Sequence, residues 1–301
     1  MDIVVLDLEW DSVYSKKHHR FVNQIIQIGA VRLDEMLNVV DTFEVLIKSS
    51  ISKKLTKRFV ELTGITAEMM AEGVSVAEAI SKYNSFVPKD YLMMTWSTSD
   101  LYTLIDNSKY VFPKGVKFKY GKYMDLQSFV QNKMVELGFE IKSQISLINA
   151  AEMLEISADG LDLHTAKDDS LLSVALLKRF YSKENIIPYI KDTTKPEFFE
   201  RLTFKSYTLT NIHDDLIKAE NLIFSCENCK NTAKCLTGWK YKNGWFSANF
   251  RCVKCKRMFI GRVSFKKTYD NLIVKRRVLD IKSATKGKSD ADKMQPMPEK
   301  V

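Results

Sequence analysis

Apolar and polar positions along the chain switch between strand-like runs and helical spacing. Residues 3–9 (IVVLDLE) form a short apolar run ending in acids, which predicts a buried strand. Residues 24–33 (QIIQIGAVRL) and 42–48 predict two more strands, and the polar, basic stretch 11–23 between them reads as a loop. Residues 52–61 and 75–86 have helical spacing, residues 91–97 (YLMMTWS) read as a strand, and a helix is expected from about Asp100. A further strand is expected at 116–124, and helices at 125–137 and 146–154. Residues 165–180 place Leu171, Leu172, Ala175, Leu176 and Phe180 on one face, the pattern of an amphipathic helix. Strands first, then helices with one more strand between them, predict an α/β sandwich: a mixed central sheet flanked by helices.

Beyond residue 183 the character changes. Residues 184–220, with Pro188 and Pro196, read as a linker or extension with some local structure. Residues 221–280 are rich in cysteine, aromatics and lysine, and 281–301 have no aromatic residue and are expected to be disordered. The sequence has 301 residues and a formal net charge of +9. Residues 221–301 hold 19 Lys/Arg against 6 Asp/Glu, a net of +13, whereas the first 220 hold 27 against 31, a net of −4. The basic character therefore belongs to the C-terminal quarter, where a positive field suits nucleic acid. No stretch approaches the ~18 consecutive apolar residues of a membrane span, and the N-terminus enters a strand with no signal-peptide pattern. Four of the five cysteines form two close pairs, which suggests metal binding in a reducing compartment. A cytoplasmic protein without a membrane partner is expected.

Three separated acidic patches carry the candidate chemistry. In Asp7-Leu8-Glu9 the two carboxylates leave the strand on the same side while Leu8 turns to the core. Such a pair repels unless a cation lies between its members, and carboxylate oxygens suit Mg²⁺. Alone, the pair is weak evidence, and an ordinary solvated strand end is the better reading. The second patch, Trp96-Ser97-Thr98-Ser99-Asp100, follows a predicted strand, and Asp100 could simply begin a helix. The third, His164-Thr165-Ala166-Lys167-Asp168-Asp169, opens the last strong helix. Helix-dipole preference accounts for Asp168 and Asp169 there but not for His164. Asp168 is rotated about 100° from Asp169 and is the decoy of the two.

Together these patches resemble, in order and context, the DEDDh subgroup of the DnaQ-like 3′→5′ exonucleases. The resemblance runs from residue 3 to about 180 and includes Ile25-Ile26-Gln27-Ile28-Gly29-Ala30-Val31 and Glu61-Leu62-Thr63-Gly64-Ile65-Thr66. It leans toward the KapD-like and Eri-like branch, which trims short RNA or single-stranded ends. Many members carry Thr directly after the first Glu, where this chain has Trp10. The resemblance implies a ribonuclease H-like fold and two Mg²⁺ or Mn²⁺ ions. Asp7 would bridge them, Glu9 and Asp169 would complete the first site, and Asp100 would hold the second through water. His164 would take the proton of the attacking water. It further implies substrate contacts at Leu8, Trp10, Leu62, Thr63, Ile65, Trp96 and Ser97. Leu62 and Ile65 would wedge against the terminal base, although Ile65 reads equally as helix core. The implied partner is single-stranded nucleic acid with a free 3′ end, RNA slightly favoured over DNA, and the product a nucleoside 5′-monophosphate. The alternative is a catalytically silent nucleic-acid-binding scaffold.

Cys226-x-x-Cys229 and Cys252-x-x-Cys255 have the arrangement of a zinc ribbon holding one structural Zn²⁺, leaving Cys235 as a free thiol. Trp239, Tyr241, Trp245, Phe246, Phe250 and Phe259 lie among lysines and arginines in this module. Part of this set must form its small core. The rest fits either a nucleic-acid grip or a site for a protein partner.

Overall fold

The computed structural model describes residues 1–281, so the tail expected to be disordered lies, after its first residue, outside the described residues. The chain divides into two compact units, the first ending at Leu202. In chain order the first unit contains β1 (Asp2–Ser15), β2 (Arg20–Leu33), β3 (Val39–Leu46), α1 (Lys57–Thr63), α2 (Ala67–Glu72), α3 (Val76–Phe86), β4 (Tyr91–Thr95), α4 (Ser99–Tyr110), β5 (Lys122–Asp125), α5 (Leu126–Glu136), α6 (Leu147–Met153), α7 (Ala166–Phe180), α8 (Lys183–Ile186) and α9 (Pro196–Thr203). The sheet order is β3-β2-β1-β4-β5. The β3-β2-β1 pairs are antiparallel and the β1-β4-β5 pairs parallel, the mixed ribonuclease H-like sheet that was expected.

Alternation along β1 decides what faces what. Ile3 and Val5 pack into one cluster with α5, α6 and α7. Val4, Leu6 and Leu8 pack on the other side with α3 and α4. Asp7 and Glu9 continue the Ile3–Val5 face, so the acids emerge on the α7 side. A bulge between Glu9 and Trp10 lets β2 carry one extra residue, because Glu9 pairs with Gln27 and Trp10 with Ile25. Ile26, left without a partner in β1, joins Phe59, Ile65 and Met70 in a separate small cluster under α1 and α2.

Several elements differ from the expectations. The supposed loop 11–23 is instead the far end of a long β1–β2 hairpin. Long-range contacts hold it along α4: Arg20 pairs with Asp106 at 3.0 Å and stacks over Tyr110, and Asn107 donates to the Asn23 carbonyl at 2.7 Å. The helix expected from residue 52 begins only at Lys57. Buried Asp11 accepts from both the Thr56 backbone N–H and its hydroxyl, and so fixes Thr56 as the N-cap. The motif Leu62-Thr63-Gly64-Ile65-Thr66 is a stop and restart. Gly64, at φ 70°, ends α1, and Thr66 caps α2, a helix that sequence periodicity missed. The strand expected at 116–124 pairs only from Lys122, while Val116, Phe118 and Tyr120 fill the core without joining the ladder. The proposed linker divides between the units. Ile186, Phe198 and Leu202 pack onto the first, and Leu209 is buried in the second.

The second unit is an antiparallel sheet of β6 (Tyr207–Thr208), β7 (Ala233–Cys235), β8 (Lys240–Lys242), β9 (Trp245–Cys252), β10 (Met258–Lys267) and β11 (Leu272–Asp280). The path β11-β10-β9-β7 is joined by β6 on β10 and β8 on β9. One face buries Phe246, Phe250, Phe259 and Phe265 together with Phe224. Three of the aromatic side chains considered for nucleic-acid contact, Phe246, Phe250 and Phe259, are thus core. Trp239 packs against the same core. Among the described residues no helix is long and apolar enough to cross a membrane.

One close approach in the first unit carries the acids together. At Gly29 of β2, opposite Asp7 in the ladder, a Cβ would lie 2.2 Å from the Ala166 carbonyl carbon and the Lys167 nitrogen at the start of α7. Two residues away, the Gln27 side-chain oxygen accepts from the Ala166 N–H at 3.0 Å. Gly29→Ala is therefore expected to lower stability by about 2–3 kcal/mol or more, by overpacking against backbone that cannot yield. Urea unfolding followed by far-ultraviolet circular dichroism checks this, and an unchanged midpoint refutes the close approach.

Candidate active site and metal centre

Asp7 and Glu9 leave β1 toward the first turn of α7, where Asp169 projects. Carboxylate oxygens of Asp7, Glu9 and Asp169 all lie within 4.8 Å of one another. Asp100 enters from the N-terminus of α4 and is buried, accepting from the Leu8 backbone N–H at 3.2 Å. All four acids line one cleft with Trp10, Trp96, Ser97 and Leu147. His164 sits at φ 72° in the turn before α7, and its backbone N–H reaches the Asp169 carboxylate at 3.4 Å. Thr165 caps α7 by accepting from the Asp168 N–H, and the Asp168 carboxylate accepts from the Asp162 N–H at 2.8 Å. Asp168 therefore braces the turn that carries His164 and stands apart from the carboxylate cluster.

Burial and mutual repulsion dominate the electrostatics. Burial first, then the charges of Asp100, Glu9 and Asp169, hold the Asp7 carboxyl well above the usual range. Burial, with Asp169 and Asp100 added, pushes Glu9 up to about 8. Burial also pushes Asp100 to about 8, although backbone N–H groups, including that of Leu8, pull the other way. Asp169 is raised by burial too, with the His164 N–H and imidazole partly offsetting it. Four hard oxygen donors with this much unrelieved charge fit a divalent cation such as Mg²⁺ or Mn²⁺.

The residues predicted to touch substrate fall into two groups. Leu62, exposed on the last turn of α1, lines a groove with Glu9, Trp10, Arg58 and Phe59. Trp96 and Ser97 lie in the acidic cleft, and the Trp96 indole N–H reaches the Ile145 carbonyl at 3.4 Å. Ile65 is a correction: it is 3% exposed and packed in a core cluster, so it does not offer its side chain to a ligand. Leu8 packs its side chain into the core as well, but it lines both the Leu62 groove and the acidic cleft. Alternation turns the Leu8 side chain inward, and Ile65 anchors the turn between α1 and α2. The Thr63 hydroxyl is spent on the Phe59 carbonyl and the Ile65 N–H. Arg58, exposed in the Leu62 groove, was not singled out from sequence, because a single basic residue at a helix start carries no distinguishing signal.

In the second unit the sulfurs of Cys226, Cys229, Cys252 and Cys255 lie within 4.8 Å of one another. The contacts Cys229–Cys252, Cys226–Cys255 and Cys229–Cys255 are 3.3, 3.5 and 3.6 Å. Disulfides require ~2.05 Å. A tetrahedral zinc with Zn–S bonds of ~2.3 Å has sulfur edges of about 3.8 Å, so the set fits Zn²⁺. The two knuckles share a backbone device: Lys230 and Lys256, each four residues after the first cysteine of its pair, have φ 59° and 63° and donate back to that cysteine's carbonyl. Cys235 lies outside the cluster, its thiol against the Thr237 carbonyl.

Residues 4–177 match the protein family described as Exonuclease (RNase_T). The chain belongs to the exonuclease family. It is 29% identical over 208 residues to the "Probable 3′-5′ exonuclease KapD" of Bacillus subtilis, an overlap of 66% of this chain and 93% of that protein. A 90-residue stretch is 32% identical to a PolC-type DNA polymerase III of Thermotoga petrophila, covering 30% of this chain and 6% of that one. Among solved structures, the nuclease domain of 3′hExo, described as a DEDDh family member bound to rAMP, aligns with a TM-score of 0.48 at 22% identity, covering 59% of this chain and 90% of that chain. Escherichia coli Exonuclease I in complex with a dA16 oligonucleotide aligns with a TM-score of 0.44 at 14% identity, covering 94% of this chain and 66% of that chain.

The raised carboxyls make a prediction about the metal-free exonuclease. A carboxyl with a raised folded-state pKa binds more protons folded than unfolded. Between the ordinary Glu value of 4.5 and the folded value of about 8, rising pH therefore drains stability. Without Mg²⁺ or Mn²⁺, Asp7→Asn is expected to raise the melting temperature at pH 8 and to change it little at pH 4.5. A melting temperature at pH 8 that is lowered or unchanged by the substitution contradicts the repulsion.

Proposed function

We propose that this exonuclease removes nucleotides one at a time from the 3′ end of single-stranded nucleic acid, with RNA favoured over DNA, and releases nucleoside 5′-monophosphates. The observation that carries the reading is the cleft where Asp7, Glu9, Asp100 and Asp169 converge beside the turn holding His164. The name of the Bacillus subtilis relative supports the 3′→5′ polarity. Asp7, Glu9 and Asp169 would hold one Mg²⁺ or Mn²⁺, and Asp7 with Asp100 a second. Such ions, when bound, activate a water and neutralise charge on the leaving oxygen.

The chain's own groups do the rest. His164 takes the proton of the attacking water, a task suited to imidazole near neutral pH. Its turn is held by the Asp168 carboxylate on the Asp162 N–H. Leu62 packs its exposed face against the terminal base, and Trp10 walls the same groove. Arg58 offers a cation to a backbone phosphate there. Trp96 and Ser97 border the reacting end. Cys226, Cys229, Cys252 and Cys255 would hold a structural Zn²⁺, which would stabilise the second unit. Four reduced zinc-ligand thiols suit a reducing compartment, which supports a cytoplasmic location.

The deciding assay uses 5′-labelled RNA and DNA oligonucleotides. Stepwise shortening from the 3′ end with Mg²⁺ or Mn²⁺, lost with EDTA and restored by added metal, is expected. Asp7→Ala should abolish it without loss of fold, and His164→Ala should slow it by about 10²–10⁴-fold. Tight binding with no cleavage under any metal would favour the silent scaffold. For the second unit, metal analysis should find one zinc per chain. Cys252→Ser should release the zinc and unfold that unit's sheet, since binding energy at such a site is folding energy. A zinc-free wild-type protein with an intact sheet would overturn the assignment.

A further inference from the structure

The second unit has two different faces. Its core face is aromatic, and its outward face is basic. Register fixes the outward set. Lys240 and Lys242 of β8 pair with Ser247 and Trp245 of β9, and Arg262 of β10 pairs with Ser247 and with Arg277 of β11. Arg251 and Lys275 share this side by alternation, opposite the buried Phe246, Phe250 and Val263. No Asp or Glu occupies an outward position on β8 to β11. Among the described residues, none of these six cations forms an ion pair.

The centre of this face holds a like-charge pair. Arg262 and Arg277 stand directly opposite across the ladder, an arrangement that costs stability unless something compensates. No carboxylate does so. Both guanidiniums stack on Trp245 instead, at 5.2 and 5.0 Å from the ring centroid. Contrast Arg257, which is matched by Asp280 at 2.7 Å and Glu227 at 3.5 Å. The sheet thus holds two guanidiniums together, flanked by lysines and matched by no carboxylate. The anion such an array fits is a phosphodiester chain.

We propose that this face, centred on Arg262, Trp245 and Arg277, binds the phosphate backbone of single-stranded RNA. Trp245 acts as a positioning residue that holds both guanidiniums at its ring. The choice of RNA rests on the substrate reading above, and the face itself rests on the register alone. The neighbouring cation makes a built-in control. Arg276, next in sequence to Arg277, turns the other way and lies 4.6 Å from the ring centroid of buried Phe224.

Binding is measured on the full chain carrying Asp7→Ala, with a labelled single-stranded RNA, by fluorescence anisotropy over a salt series. Arg262→Gln with Arg277→Gln should weaken binding about tenfold and flatten the log–log salt slope by about 1.4, the share of two phosphate contacts on a single strand. Arg277→Gln alone should give about half that slope change. Arg276→Gln should leave affinity within twofold. Thermal unfolding checks each variant, and Lys254→Gln in the second cysteine knuckle replaces the control if Arg276→Gln loses its fold. Equal losses at all positions would mean bulk charge rather than a face. Salt-independent binding, or no binding, would also overturn the proposal, and tighter binding of single-stranded DNA than RNA would overturn the choice of ligand. Hydrolysis of the p-nitrophenyl ester of a nucleoside 5′-monophosphate, assayed with Asp7 intact, reports the carboxylate site separately. The face variants should leave it unchanged, so failure of the face and failure of the activity read out in different assays.

Discussion

The first unit turns on the place where a helix touches a strand with no side chain between them. At Gly29 the start of α7 lies directly on β2, and any Cβ would meet backbone at 2.2 Å. The Gln27 carboxamide fixes the same contact by accepting from the Ala166 N–H. Since Gly29 is the ladder partner of Asp7, the contact sets the height of Asp169 above Asp7 and Glu9. It also sets the turn bearing His164. A helix standing one side chain further away would carry the same residues and bring no carboxylates together.

That closeness has an electrostatic cost, which the fold concentrates in one cleft. Three acids share a few ångströms and a fourth is buried beside them. Their elevated pKa values express how poorly the bare protein tolerates their charge. The backbone N–H groups of Leu8 and His164 orient Asp100 and Asp169 without neutralising them. The apolar clusters on both sides of the sheet hold the acids in place against their repulsion, and a cation turns the repulsion into attraction.

Features governed by local period or fixed spacing could be read from the sequence. Parity in β1 put Asp7 and Glu9 on one side, and the helix beginning at Ala166 could be read from its apolar stripe. The two cysteine pairs declared themselves by spacing. Features governed by distant partners could not be read. Asp11 looked like the start of a polar loop because its partner, Thr56, lies 45 residues away. The 11–23 stretch is polar because it lies along α4 rather than in the core. Ile65 and Leu62 look alike in sequence, and only the turn at Gly64 sends one inward and the other out. Leu202 and Leu209 lie only a few residues apart within one supposed linker, yet the first packs in the first unit and the second in the second unit.

The bulge at Ile26 separates two duties along one strand. Ile25 belongs to the main core and Ile26 to the small cluster that seats α1 and α2. The carboxylates depend on the register below the bulge, and the helix presenting Leu62 depends on the extra residue within it. A change of one residue in the length of β2 at this point would unseat the Leu62 helix while leaving Asp7 opposite Gly29. Chain length at a single position thus gives evolution a way to reshape the groove that Leu62 lines without disturbing the carboxylate cleft.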